Sequence, residues 1–175
     1  MEFKKFPSIN RLTGPIIVTE KIDGTNACVV INEEGWVRAQ SRTRFITPQS
    51  DNFGFANWVY KYEEELRTIL GVGYHYGEWW GKGIQRSYGL SDRKFSLFNT
   101  SVILPENDIV NSVPILATCI FDTQQFKAVM DNLKVVGSFA SPGYMNPEGI
   151  VIYDTRSGTL FKKTYDYDET GKQGR

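Results

Sequence analysis

The chain has 175 residues, 41% hydrophobic and 23% charged, with 20 lysines and arginines against 20 aspartates and glutamates. That length holds one domain with a real core and is short for two. The zero formal charge supplies no global positive field and so counts mildly against a grip on long duplex nucleic acid by charge alone, while leaving room for a local basic cleft. The opening MEFKKFPSIN lacks the apolar core of a secretion signal, and no apolar run approaches the ~18 residues of a membrane span, so a soluble, intracellular protein is expected. Cys28 and Cys119 each sit in an apolar run without zinc spacing and read as small buried hydrophobes in a reducing compartment.

In chain order, Pro15 to Glu20 reads as a strand leading into Lys21-Ile22-Asp23-Gly24. A second strand runs from Ala27 to Ile31, Asn32-Glu33-Glu34-Gly35 turns it, and Trp36 to Arg42 returns with Arg38, Gln40 and Arg42 on one face. Phe55, Trp58, Val59, Tyr62, Leu66, Ile69 and Leu70 recur at helical steps, with Gly71 where a C-cap belongs. Strands are expected at Gly73 to Trp79, Phe95 to Phe98 and Ile115 to Phe121. Asp122 or Thr123 caps a second helix with Phe126, Val129, Met130 and Leu133 on its apolar face. Val135-Val136 begins another extended stretch, and two last strands, Glu148 to Tyr153 and Thr159 to Tyr165, flank the turn Asp154 to Gly158. The polar tail from Asp166 to Arg175 is expected to fray. Many strands and about two helices, without strict alternation, predict an α+β fold of mainly antiparallel sheets in a single domain over residues 1–175.

Neither GxxxxGK[ST] nor a GxGxxG following a strand is present, so P-loop and Rossmann sites are unsupported. His75, between Tyr74 and Tyr76, has no serine or cysteine site beside it and reads as structural. The informative pattern is a series of charges in strands. Lys21 lies between Glu20 and Asp23, ahead of Gly24-Thr25-Asn26; Glu78 sits among aromatics and glycines in YGEWWG; Glu148 opens the apolar EGIVIY; and Lys162-Lys163 interrupts an apolar strand. Buried unpaired charge costs several kcal/mol per ion. These groups therefore either pair with one another or line one cleft that a charged ligand completes.

In this order the residues resemble the covalent nucleotidyltransferases, the superfamily of ATP-dependent DNA ligases, RNA ligases and mRNA capping enzymes. Lys21-Ile22-Asp23-Gly24 is similar to the nucleophile motif and Ser41-Arg42 to the arginine motif after it. Glu78, Phe98 in FSLFN, Glu148-Gly149-Ile150-Val151 and Lys162 resemble the motifs that follow. The Thr25-Asn26 pair after Gly24 and the stretch GEWWGKGIQRSYG most resemble small RNA ligases of phages and bacteria.

The resemblance implies a nucleotide cleft flanked by antiparallel sheets, in the cytoplasm of a bacterium or phage-infected host. It implies that Lys21 attacks the α-phosphate of ATP and holds AMP, with Asp23, Arg42 and Lys162 as further catalytic residues. Glu20, near the adenine edge, joins Gly24, Asn26, Arg42 and Lys162 in binding the nucleotide; Glu78 takes the ribose and Phe98 stacks on adenine. Glu148 helps to hold Mg²⁺, and RNA 5′-phosphate and 3′-hydroxyl ends are the substrates, with an accessory protein as a further partner. Where relatives have Lys-x-Lys, this chain has Lys162-Lys163, whose side chains face opposite ways; Lys162, sharing a face with Leu160 and Thr164, is assigned to the cleft. The larger ligases and capping enzymes carry a further domain after this motif, which is not expected here. A DNA ligase, a GTP-using capping enzyme and a non-catalytic nucleotide- or RNA-binding module are the alternatives on the same fold.

Overall fold

The computed structural model describes residues 2–6, 8 and 14–166; the tail expected to fray lies, from residue 167 on, outside them. In chain order the elements are β1 (Ile16–Lys21), β2 (Thr25–Ile31), β3 (Val37–Ser41), β4 (Phe45–Ile46), α1 (Phe55–Lys61), α2 (Glu63–Leu70), β5 (Gly73–Gly81), a 3₁₀ turn (Ser87–Gly89), β6 (Arg93–Leu97), β7 (Val110–Ser112), β8 (Ile115–Cys119), α3 (Thr123–Val136), β9 (Gly149–Asp154) and β10 (Thr159–Thr164). They form a four-stranded sheet, β10-β9-β1-β8, and a six-stranded sheet, β4-β3-β2-β5-β6-β7. Every pairing is antiparallel except that of β6 with β7. The expected α+β architecture is thus the observed one.

Alternation along the strands decides what each face meets. On the six-stranded sheet Val29, Ala39, Trp79 and Phe95 face Phe55 and Val59 of α1, and together they make the larger core. On the four-stranded sheet Ile16, Val18 and Ile150 face Phe126, Met130 and Leu133 of α3. Each such side chain, fully buried, contributes about 1.5–3 kcal/mol. A third cluster, Ile22, Trp80, Tyr88 and Val113, forms where the chain crosses between the sheets, since Ile22 links β1 to β2 and Val113 links β7 to β8. The two sheets are therefore joined by packing at the point where Lys21 ends β1.

Several elements depart from the sequence expectation. The single helix over 55–70 is two, broken at Tyr62 (φ −110°, ψ 26°), because the apolar spacing continues across the break and does not reveal it. Val135 and Val136 end α3 and do not begin a strand; the seam of Phe126, Met130 and Leu133 carries the helix on until Gly137 takes φ 86°. The two valines occupy its exposed side, so their β preference is overridden by the packing of the opposite face. β4 and β7, of two and three residues, have no counterpart among the expected strands. Asp122 caps α3 as expected, accepting from the Gln124 N–H at 2.8 Å.

Candidate active site

Glu20 and Lys21 are adjacent in β1 and so leave it on opposite faces. Lys21 points away from α3, and its Nζ donates to Glu148 Oε2 at 2.6 Å. The register explains the meeting: Lys21 pairs with Gly149, and Glu148 immediately precedes it. Gly149 is at φ 152°, and a Cβ there would lie 2.2 Å from the Lys163 carbonyl oxygen, so only glycine lets β10 close against the end of β9.

Glu20 points to the α3 side and is 1% exposed. Its carboxylate accepts from Ser138 Oγ at 2.6 Å and from the Phe139 and Ala140 N–H groups at 2.8 and 2.9 Å. Burial raises its pKa, and these three donors oppose the rise. The Glu20 side chain thus anchors the segment after α3, on the far side of the strand from Lys21.

After Lys21 the chain crosses to the second sheet under tight constraint. The Gly24 N–H donates to Glu78 Oε1 at 3.0 Å, and a Cβ on Gly24 would lie 2.5 Å from the Trp79 carbonyl oxygen. The Asp23 N–H donates to the Tyr88 hydroxyl at 2.8 Å. Arg86 donates to the Asp23 carboxylate at 3.0 Å and to Asp166 at 2.5 Å. Glu78 is buried, and burial pushes its carboxyl up to about 7. Lys21 and the Gly24 N–H pull it down, while Glu148 and Asp23 push it further up. Burial likewise pushes the Tyr88 phenol up.

Lys21, Asp23, Gly24, Glu78 and Glu148 are therefore brought together. Asn26 pairs with Glu78 across β2 and β5 and shares its face. Phe98 follows β6, donating its N–H to the Tyr76 carbonyl at 3.0 Å, one pleat from Glu78 on that same face; its ring is 43% exposed. On the other sheet Thr19, Val151 and Lys162 are in register, which sets Lys162 on the Lys21 face two strands away, about 9.5 Å laterally. Lys163, in register with Ile150 and Glu20, lies on the α3 face. Arg42 is exposed and directly follows Ser41, the partner of Ala27 across β3 and β2, so the register carries it to the level of Asn26.

Sequence reasoning missed Arg86, Tyr88 and Ser138. The first two lie in the GKGIQRSYG stretch, 63 and 65 residues from their partner Asp23. Ser138 is 118 residues from its partner Glu20. The two cysteines are free, and Cys28 is buried, which pushes its thiol up to about 11. His75 holds the Gly71 carbonyl at 2.9 Å, a structural contact. Among the described residues no helix is long and apolar enough to cross a membrane.

Residues 14–164 match the family model described as RNA ligase. The fold is similar to solved structures of the Naegleria gruberi RNA ligase. An apo variant gives a TM-score of 0.64 at 19% identity, over 87% of this chain and 50% of that one. An arginine-to-alanine variant with ATP and Mn gives 0.66 at 18%, over 88% and 50%. A lysine-to-methionine variant with AMP and Mn gives 0.64 at 18%, over 87% and 50%. At these identities the likeness shows a common fold, and this chain spans about half the length of those proteins.

Proposed function

Because the chain belongs to the RNA ligase family, we propose that it is an ATP-dependent RNA ligase whose nucleophile is Lys21. The observation that carries this reading is the convergence of Lys21, Glu148 and Glu78 at the junction of the two sheets. The ATP, AMP and Mn of the Naegleria gruberi structures support a nucleotide and a divalent cation here.

In the first step the neutral Lys21 amine attacks the α-phosphorus of ATP. A P–N bond forms, the P–O bond to pyrophosphate breaks, and the lysine gives up a proton. The contact between Lys21 Nζ and Glu148 has to open before the nitrogen can approach phosphorus. AMP then passes to an RNA 5′-phosphate, and a 3′-hydroxyl displaces it to join the ends. Glu78, as carboxylate, accepts from the ribose hydroxyls, and Phe98 offers its exposed ring to adenine. Asn26 and Gly24 line the same face, Asp23 is held by Arg86 and Tyr88, and Lys162 and Arg42 offset phosphate charge. Glu20 acts as a positioning residue, fixing the strand that presents Lys21.

Among the described residues no cluster of three or more His, Cys, Asp or Glu forms a metal cage. The Glu148 carboxylate beside Lys21 suits magnesium, which is commonly bound by one or two carboxylates together with water and phosphate oxygens. Glu148 would hold it, and when bound it supplies charge neutralisation on the phosphates.

The test is intact mass after incubation with ATP and Mg²⁺, for wild type and Lys21→Ala. A gain of one AMP that the variant lacks, and that GTP does not give, supports the reading. An adduct with GTP points to capping chemistry. No adduct from a folded protein favours a binding module, for which the closed Lys21–Glu148 pair is the one supporting observation.

A further inference from the structure

α1 and α2 cover only one face of the six-stranded sheet. The other face, which carries Glu78 near the junction, continues outward into a surface of exposed rings. Tyr74 is 61% exposed, Tyr76 53%, Phe45 49% and Phe98 43%. The registers align them: Tyr76, Cys28, Gln40 and Phe45 are successive partners across β5, β2, β3 and β4, and Phe98 lies beside Tyr76 on the next edge. Tyr74 and Tyr76 stand one pleat apart with their rings nearly parallel, centroids 6.2 Å apart and planes at 16°. The charged strand residues on this face are Arg38, Lys94 and Glu78. Both cations are exposed, whereas Glu78 is buried and bound to the Gly24 N–H. Turn acids flank the sheet at both ends: Glu33 and Glu34 after β2, and Asp92 before β6.

A protein of zero formal charge thus sets aside one flat face for aromatic rings and exposed cations. Rings at strand pitch suit unpaired bases, since every base has a π face and stacking on aromatics is tolerant of sequence. A duplex has its bases already stacked and would engage chiefly through phosphates, for which a neutral chain offers little. Arg38, two strands from Tyr74 through Val30, is about 9.5 Å away laterally, within reach of the backbone of a strand whose bases rest on the tyrosines.

We propose that this face is a stacking platform for single-stranded RNA, with Tyr74 and Tyr76 each taking an unpaired base and Arg38 a phosphate. The substrate end is then single-stranded, not a nick in a duplex. This deepens the ligase reading and rests on it for the identity of the nucleic acid.

The test is fluorescence anisotropy, without ATP, using a labelled RNA of about 12 nucleotides, free or annealed to its complement. The wild type should bind the free strand several-fold more tightly than the duplex. Tyr74→Ala/Tyr76→Ala should weaken the free strand about tenfold or more and leave the duplex unchanged, while Tyr74→Phe/Tyr76→Phe retains wild-type binding. Arg38→Gln should weaken binding and reduce the salt slope by about one. Equal affinity for both RNAs, wild-type binding by the double alanine variant, loss in the phenylalanine variant, or no binding at all overturns the platform. Circular dichroism of each variant establishes that it is folded. Lysyl-AMP formation is read separately by mass: its failure with RNA binding intact sinks the ligase reading alone, and its success with RNA binding absent sinks the platform alone.

Discussion

Lys21 and Glu148 are 127 residues apart in sequence and 2.6 Å apart in space, and neither is freely solvated: their side chains are 23% and 8% exposed. A pair of this kind costs more to break than an exposed one, because the remaining charge keeps its desolvation without its partner. Lys21→Met and Glu148→Gln should each destabilise the protein by about 1–3 kcal/mol in urea titrations, discounted for the partial exposure of the lysine. The double variant should lose less than the sum. Strict additivity would mean that the contact contributes nothing to the fold.

Glu78 predicts opposite pH trends for stability and for nucleotide binding. Its folded value of about 7 lies above the ordinary 4.5, so between these the folded state holds a proton that the unfolded state has released. Stability from this group is fully present below about pH 4.5 and is lost as pH rises to about 7, so wild type should lose stability between about pH 5 and 7 by an amount that Glu78→Gln does not show. On the proposed function ATP binding draws on the ionised carboxylate; it should then strengthen over the same interval and lose this dependence in the variant. Thermal melts and titration calorimetry at the two pH values check both trends.

Gly24→Ala forces a Cβ to within 2.5 Å of the Trp79 carbonyl oxygen and 2.7 Å of Trp80 Cβ. The crowding atoms belong to the central strand of the sheet and have little room to give. We expect a loss of about 2–3 kcal/mol in the urea midpoint analysis and a marked fall in adduct formation, since the Gly24 N–H is a donor to Glu78. A variant as stable as wild type would show that β5 can retreat.

Ser138→Ala removes the Oγ donor from the buried Glu20 carboxylate and leaves its two backbone donors. The cost should be about 1–3 kcal/mol. Because Ser138 lies on the α3 side of β1, the initial rate of adduct formation should stay within severalfold of wild type under conditions where both are folded. A loss of activity far beyond the loss of stability would place Glu20 closer to the chemistry than its geometry does.

Much of this was legible in the chain itself. Runs of apolar and β-branched residues marked the strands that carry Lys21 and Glu78 and the one that Glu148 immediately precedes, and turn chemistry at Asn32–Gly35 and Asp154–Gly158 marked two of the hairpins. The period of two separated Lys162 from Lys163 but could not say which of them shares the Lys21 face; that takes the register across β9, which sets Lys162 there. Applied to Glu20 and Lys21, the same period already sends their side chains apart. Tyr62 was not legible as a break, because both helices pack on one sheet face and keep one apolar spacing across it. Nor were Arg86 and Tyr88, whose partner Asp23 is 63 and 65 residues away; contacts at that range leave no local trace.

The alternation of β1 has a further consequence. Sliding this strand by a single residue against β9 would exchange the two side chains at its end, aiming a carboxylate at Glu148 and burying an ammonium beneath α3 among Ser138, Phe139 and Ala140. Most of the β1–β9 ladder could re-form in that shifted arrangement, so the side chains have to set the register. The safeguard is the mismatch itself: a lysine stranded among donors and a glutamate facing Glu78 and Glu148 would each be repelled, making the misaligned protein self-rejecting.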